Sequence, residues 1–155
     1  MNNPNVNLKE FWPVMKEVIE SGGEFTFYPH GISMLPLIRQ GVDQVVLVKA
    51  ENIKLGDVVF YLRDNGQFVL HRIVKIKNGQ YVMCGDNQFT LEYGITDKHI
   101  LAKMKCVLRD GQIIDESNKK YRKYIKRLPV RRFKKRVRNL LGRIYRKIFK
   151  KKTVN

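Results

Sequence analysis

Residues 119 to 155 contain no aspartate or glutamate, although they hold 18 of the 31 lysines and arginines of this 155-residue chain. Residues 1 to 118 carry 13 Lys/Arg against 14 Asp/Glu, so the formal net charge of +17 belongs to the tail. We divide the chain there, into a near-neutral body over 1–118, long enough to bury a core, and a basic tail over 119–155. No run of about 18 apolar residues occurs, so no transmembrane helix is expected. The polar start Met1–Asn7 does not read as a secretory signal peptide. The two cysteines, Cys84 and Cys106, lie in β-like segments without the spacing of a zinc site, and they read as buried thiols. Neither His30 nor His99 makes a metal set with them. No cofactor, internal repeat or low-complexity stretch is expected.

The body opens with a helix over Leu8–Glu20: Leu8, Phe11, Met15, Val18 and Ile19 recur at helical spacing, and Ser21-Gly22-Gly23 stops it. Pro13 is expected to shift its start or bend it. The rest reads as β. Segments 24–28, 44–49, 57–62, 67–77, 80–84, 101–108 and 112–114 are rich in Val, Ile, Phe and Tyr. Asp64-Asn65-Gly66, Asn78-Gly79 and Asp110-Gly111 supply the positive φ angles of tight hairpins. An antiparallel, partly closed sheet is the expected fold, with an N-terminal helix and a basic C-terminal helical tail.

Four motifs carry chemistry. Gly31-Ile32-Ser33-Met34-Leu35-Pro36 sets a serine in a bend, because Pro36 keeps Met34–Ile38 from continuing as an ordinary strand. Gly56-Asp57-Val58-Val59-Phe60-Tyr61 reads as a turn entering a strand. Phe68-Val69-Leu70-His71-Arg72-Ile73 puts a histidine on the strand face of Val69 and Ile73. Gly85-Asp86-Asn87 closes the set. A serine hydroxyl attacks a carbonyl only when a neighbouring base takes its proton, and a buried, neutral imidazole at His71 is suited to that task.

In this order and spacing the motifs resemble the signal peptidase I family of serine proteases and its self-cleaving repressor relatives, over roughly Phe25–Leu108. The usual bacterial members have a lysine at the His71 position, whereas the eukaryotic-reticulum and archaeal branch has histidine, so this chain is similar to the Ser-His type. The resemblance implies a mainly β peptidase body with Ser33 as nucleophile and His71 as general base. The acid that would orient the imidazole stays open between Asp86, in the family-like Gly-Asp-Asn, and Glu92, near where the histidine-type relatives carry an aspartate; Asp97 is a third candidate. Arg72, on the opposite strand face, reads as a structural ion pair or backbone donor. His30 reads as a residue lining the substrate groove, His99 as one in a charged, exposed stretch.

In the tail, Leu128, Val130, Phe133, Val137, Leu140, Leu141, Ile144, Tyr145 and Ile148 fall at spacings of three and four among lysines and arginines. This is the signature of an interfacial helix on an anionic membrane, with an interruption expected near Gly142. The lesser readings are a helix docked on the body with a solvated charged face and a nucleic-acid arm, the latter disfavoured because an apolar stripe has no obvious use on DNA. The expected function is cleavage of a signal or leader peptide from a precursor by a peripheral membrane or cytoplasmic enzyme. The substrate would add as a strand to an open sheet edge near residues 25–32. The alternative is a noncatalytic peptide-binding or membrane-adaptor module with the same fold. A self-cleaving repressor fits poorly, because the 32 residues before Ser33 leave no space for a DNA-binding domain and the lysine base is absent.

Overall fold

The computed structural model describes residues 8–149, with side chains to Lys147. Helix α1 (Leu8–Glu20) leads into a sheet of eight strands: β1 (Phe25–Phe27), β2 (Gln44–Val48), β3 (Val58–Leu62), β4 (Phe68–Lys77), β5 (Gln80–Cys84), β6 (Glu92–Ile95), β7 (Ile100–Arg109) and β8 (Gln112–Ile114). Helix α2 (Lys119–Phe149) ends the described chain. All pairings are antiparallel. The strand order is β1-β2-β7-β3-β4-β5-β6, and β8 pairs with the far end of β7. The sheet is therefore open rather than partly closed, with β1 and β6 at its edges.

The hairpins follow from their turn residues. Asn78 and Gly79 have φ of 50° and 69°, and Asp110 and Gly111 have 50° and 75°, the paired positive values that match strand twist in two-residue loops. In the β3–β4 connection only Gly66 is positive, at 78°, while Arg63 and Gln67 close the turn by a backbone bond of 3.0 Å.

Alternation along β3 builds a core on each side of the sheet. Val58 and Phe60 join Met15, Ile19, Met34, Leu37, Ile38 and Leu47 on one side. Val59 and Tyr61 join Val69, Ile73, Met83 and Ile95 on the other. Trp12 of α1 lies over Phe60 and Phe68, with ring centroids 6.2 and 5.9 Å away. The expected stripe of α1 shifts accordingly: Trp12 packs inward, whereas Phe11 is exposed. Pro13 sits inside the helix without ending it.

Two buried carboxylates tie loops to this frame. Asp43 accepts from Arg39 and Arg109, and Arg109 also donates to the Leu37 carbonyl at 2.6 Å, which pins the segment after Ser33 to the end of β7. Burial alone would raise the Asp43 carboxyl, but the two guanidinium groups outweigh it and hold it down at about 2. Asp86 is gripped by Arg72 through Nε at 2.9 Å and Nη2 at 2.7 Å, and it also accepts from Tyr124 at 2.9 Å and Arg132 at 3.2 Å. Arg72 is thus the structural ion pair that its strand face implied. Both cysteines are buried free thiols.

Helix α2 is not a free appendage. Tyr121 and Leu128 are buried, and Tyr124 and Ile125 pack against the core. The helix passes through Gly142 without the expected interruption. Among the described residues, no helix is long and apolar enough to cross a membrane. Replacing Asp86 with Asn leaves the Arg72 guanidinium buried without a counter-charge. The expected loss is about 3–5 kcal/mol, and urea unfolding of Asp86→Asn against the parent chain measures it.

Candidate functional site

Ser33 is half-buried in the turn between β1 and β2, with Gly31 at φ 97° just before it. Glycine reaches that conformation without a Cβ penalty. The turn is held from the β5–β6 loop: Asn87 N donates to the Ser33 carbonyl at 2.7 Å, and Asn87 Nδ2 donates to the Ile32 carbonyl at 3.0 Å. A Cβ on Gly85 would stand 2.7 Å from the Ser33 carbonyl oxygen, so loop and turn are in direct contact.

His71 lies in the middle of β4, opposite Val59 of β3, and is buried. It and Ser33 line one groove of about 350 Å³ with Gly31, Ile32, Leu70 and Gln88. His30 and Phe68 are shared between this groove and a neighbouring apolar cavity of about 410 Å³ walled by Phe11, Met15, Phe25 and Phe27. His30 therefore does line the groove. Among the described residues no hydrogen bond joins Ser33 to His71.

Behind the ring, Tyr61 Oη stands 3.3 Å from His71 Nδ1 and donates to Glu92 Oε2 at 2.8 Å. A phenol has one proton, and here the carboxylate takes it. The Tyr61 oxygen can then only accept from His71, so the ring carries its proton on Nδ1 and turns an unprotonated Nε2 away from the tyrosine. Glu92 Oε2 is itself 4.0 Å from Nδ1, close enough to stabilise an imidazolium. Arg63 grips both oxygens of the same carboxylate, Nε donating to Oε1 at 2.7 Å and Nη2 to Oε2 at 2.5 Å.

Burial pushes the His71 imidazole down to about 4, against the smaller upward pull of Glu92. Burial would raise the Glu92 carboxyl, but hydrogen bonds from Arg63 and Tyr61 outweigh it and hold it below the usual range. Burial and the adjacent Glu92 push the Tyr61 phenol up, which keeps it a donor.

Of the three candidate acids, the structure brings Glu92 nearest the imidazole, at 4.0 Å. Glu92, at the start of β6, reaches His71 through Tyr61, whereas Asp86 is engaged by Arg72, Arg132 and Tyr124 and makes no hydrogen bond to the imidazole. Asp97 accepts from Tyr81 at 2.6 Å. His99 corrects the sequence reading: it is buried, with Nε2 3.2 Å from Asp64 and Nδ1 accepting from Thr96 N at 3.0 Å. Tyr61 and Arg63 were absent from the candidates. The available signal was period two, since Tyr61 shares the β3 face of Val59, which pairs with His71. No metal-ligand group occurs among the described residues. The chain matches no protein-family model and no curated protein.

The His71 ring should titrate near pH 4, and Glu92→Gln should lower that midpoint further, because the carboxylate is what favours the charged ring. Between about 4 and the unfolded value of about 6.5, the unfolded chain binds this proton and the folded chain does not. The contribution of His71 to stability therefore rises with pH across that window. An NMR titration of the ring checks the midpoint and the sign of the Glu92→Gln shift.

Proposed function

We propose that the chain is a serine peptidase of the signal peptidase I type, removing a signal or leader peptide from a precursor. One observation carries the reading: Ser33 and His71, from separate segments, line a single groove, and a Tyr61–Glu92 pair backs the imidazole. Ser33 Oγ attacks the scissile carbonyl carbon while His71 Nε2 takes its proton, and Glu92 offsets the charge on the ring through Tyr61. The ring then returns the proton to the departing amine, and a water deprotonated by the same nitrogen releases the acyl group. Among the described residues strand β1 pairs with β2 alone, so its other edge is available for an extended substrate beside the apolar cavity.

The rival is a noncatalytic peptide-binding or membrane-adaptor module of the same fold, favoured by the missing Ser33–His71 bond; catalytic bonds often tighten only when substrate is bound. Cleavage of a leader-peptide library discriminates the two. Ser33→Ala and His71→Ala should each remove nearly all turnover without adding to one another, and Glu92→Gln should lower it with the melting temperature little changed. The acid limb of kcat/KM should coincide with the His71 titration, near 4. Turnover by Ser33→Ala at the parent rate leaves only the adaptor module.

The same chain would work at an anionic membrane surface, held there by α2. At about 100° per residue, Val130, Phe133, Val137, Leu141 and Ile144 lie roughly opposite the docked Tyr124, Leu128 and Lys135. Phe133 and Leu141 are 68% and 60% exposed, so the body leaves this stripe uncovered. Leu128, counted in the stripe from its spacing, instead belongs to the docked face at 1% exposure; the side chain of Ile148 lies outside the described residues. Lysines and arginines flank the stripe on both sides, and each contributes about 1 kcal/mol near an anionic surface. Vesicles containing anionic lipid should sediment the parent chain, and a Phe133→Ser, Leu141→Ser, Ile144→Ser variant should remain in solution. Tighter binding to duplex DNA than to the vesicles, unaffected by those substitutions, would assign the tail to nucleic acid.

A further inference from the structure

The inner face of α2 ends on the loop that holds the Ser33 turn. Lys135 Nζ donates to the Asn87 carbonyl and, at 2.8 Å, to Asn87 Oδ1. Asn87 in turn donates its N–H to the Ser33 carbonyl and its Nδ2 to the Ile32 carbonyl. One residue thus has its acceptors on the helix and its donors on the turn. One helical turn earlier, Arg132 reaches Asp86 at 3.2 Å, while its Nε is buried with no partner among the described residues. The contact of Gly85 with the Ser33 carbonyl leaves no slack between loop and turn.

We infer that Lys135 is a positioning residue for the Ser33 nucleophile, acting through Asn87, so that α2 sets the aim of the hydroxyl toward His71. The inference rests on Ser33 being the nucleophile. Lys135 is only half-buried, so water can replace its ammonium in an alanine variant and the fold persists. Asn87 loses its anchor on the helix, so the turn it holds is less firmly placed, and displacements of about 1 Å at a nucleophile lower rates by up to roughly 100-fold.

The test is labelling of the full chain by an alkyl fluorophosphonate. Ser33 Oγ bonds to phosphorus, fluoride leaves, and the hydroxyl proton passes to His71. Lys135→Ala should lower the maximal labelling rate by roughly 10- to 100-fold with the half-saturating probe concentration and melting temperature held. Lys135→Arg should restore most of the rate, and the exposed Lys134→Ala should label like the parent. Asn87→Ala should reproduce the loss, and the double variant should add little to it. Labelling of Lys135→Ala at the parental rate, a fall matched by lost melting temperature, or a loss that Lys135→Arg does not restore would each overturn the positioning role. A parent chain that does not label, or a Ser33→Ala variant that labels equally, would instead overturn the peptidase reading and the inference with it.

Discussion

The buried Arg72–Asp86 pair is the constraint on which the rest of the molecule depends. Each ion would be costly to bury alone, and each is tolerated because the other meets it with two parallel hydrogen bonds. Arg72 comes from the middle of β4, next to His71, and Asp86 from the β5–β6 loop, next to Asn87. The pair therefore joins the strand that presents the imidazole to the loop that holds the serine turn. Arg72 also donates to the Gly56 carbonyl at 2.6 Å, which brings the entry to β3, and hence Tyr61, into the same frame. Charge neutralisation in the interior thus fixes the relative placement of three segments distant in sequence.

Opposite faces of β4 divide this labour. The Arg72 side needs ions, whereas the His71 side needs an apolar surround to keep the ring neutral. A two-residue alternation supplies both from neighbouring positions, and a one-residue slip of register would exchange them.

Much of the body was legible because its signals are local. Helix α1, the long strands and the Asn78-Gly79 and Asp110-Gly111 turns follow from periodicity and turn chemistry, and motif order singled out Ser33 and His71, which line one groove. What escaped depends on long-range packing. Strand β6 is short, largely exposed and contains Gly94 at φ 81°, so neither alternation nor β-propensity marks it. The part of Tyr61 emerges only when β3 pairs with β4 and β6 brings Glu92 alongside. A partly closed sheet was expected from the abundance of strands, but among the described residues the order leaves β1 and β6 without partners on their outer sides. The docked face of α2 could not be located in advance because, apart from Ile125 and Leu128, it is made of tyrosine, arginine and lysine, which resemble a solvated surface until Asp86 and Asn87 are seen beneath them.

Because α2 carries a docked face and an uncovered apolar face on one uninterrupted 31-residue helix, its two roles share a single phase. Substitutions can alter either face independently. An insertion or deletion of one residue between Leu128 and Lys135 cannot, because it rotates everything beyond it by about 100°. Such a change would swing Lys135 away from Asn87 and turn the apolar stripe toward the body. The length of that short segment is therefore under tighter constraint than the identity of most of its residues, and a tolerated length change there would require a compensating one within the next turn or two.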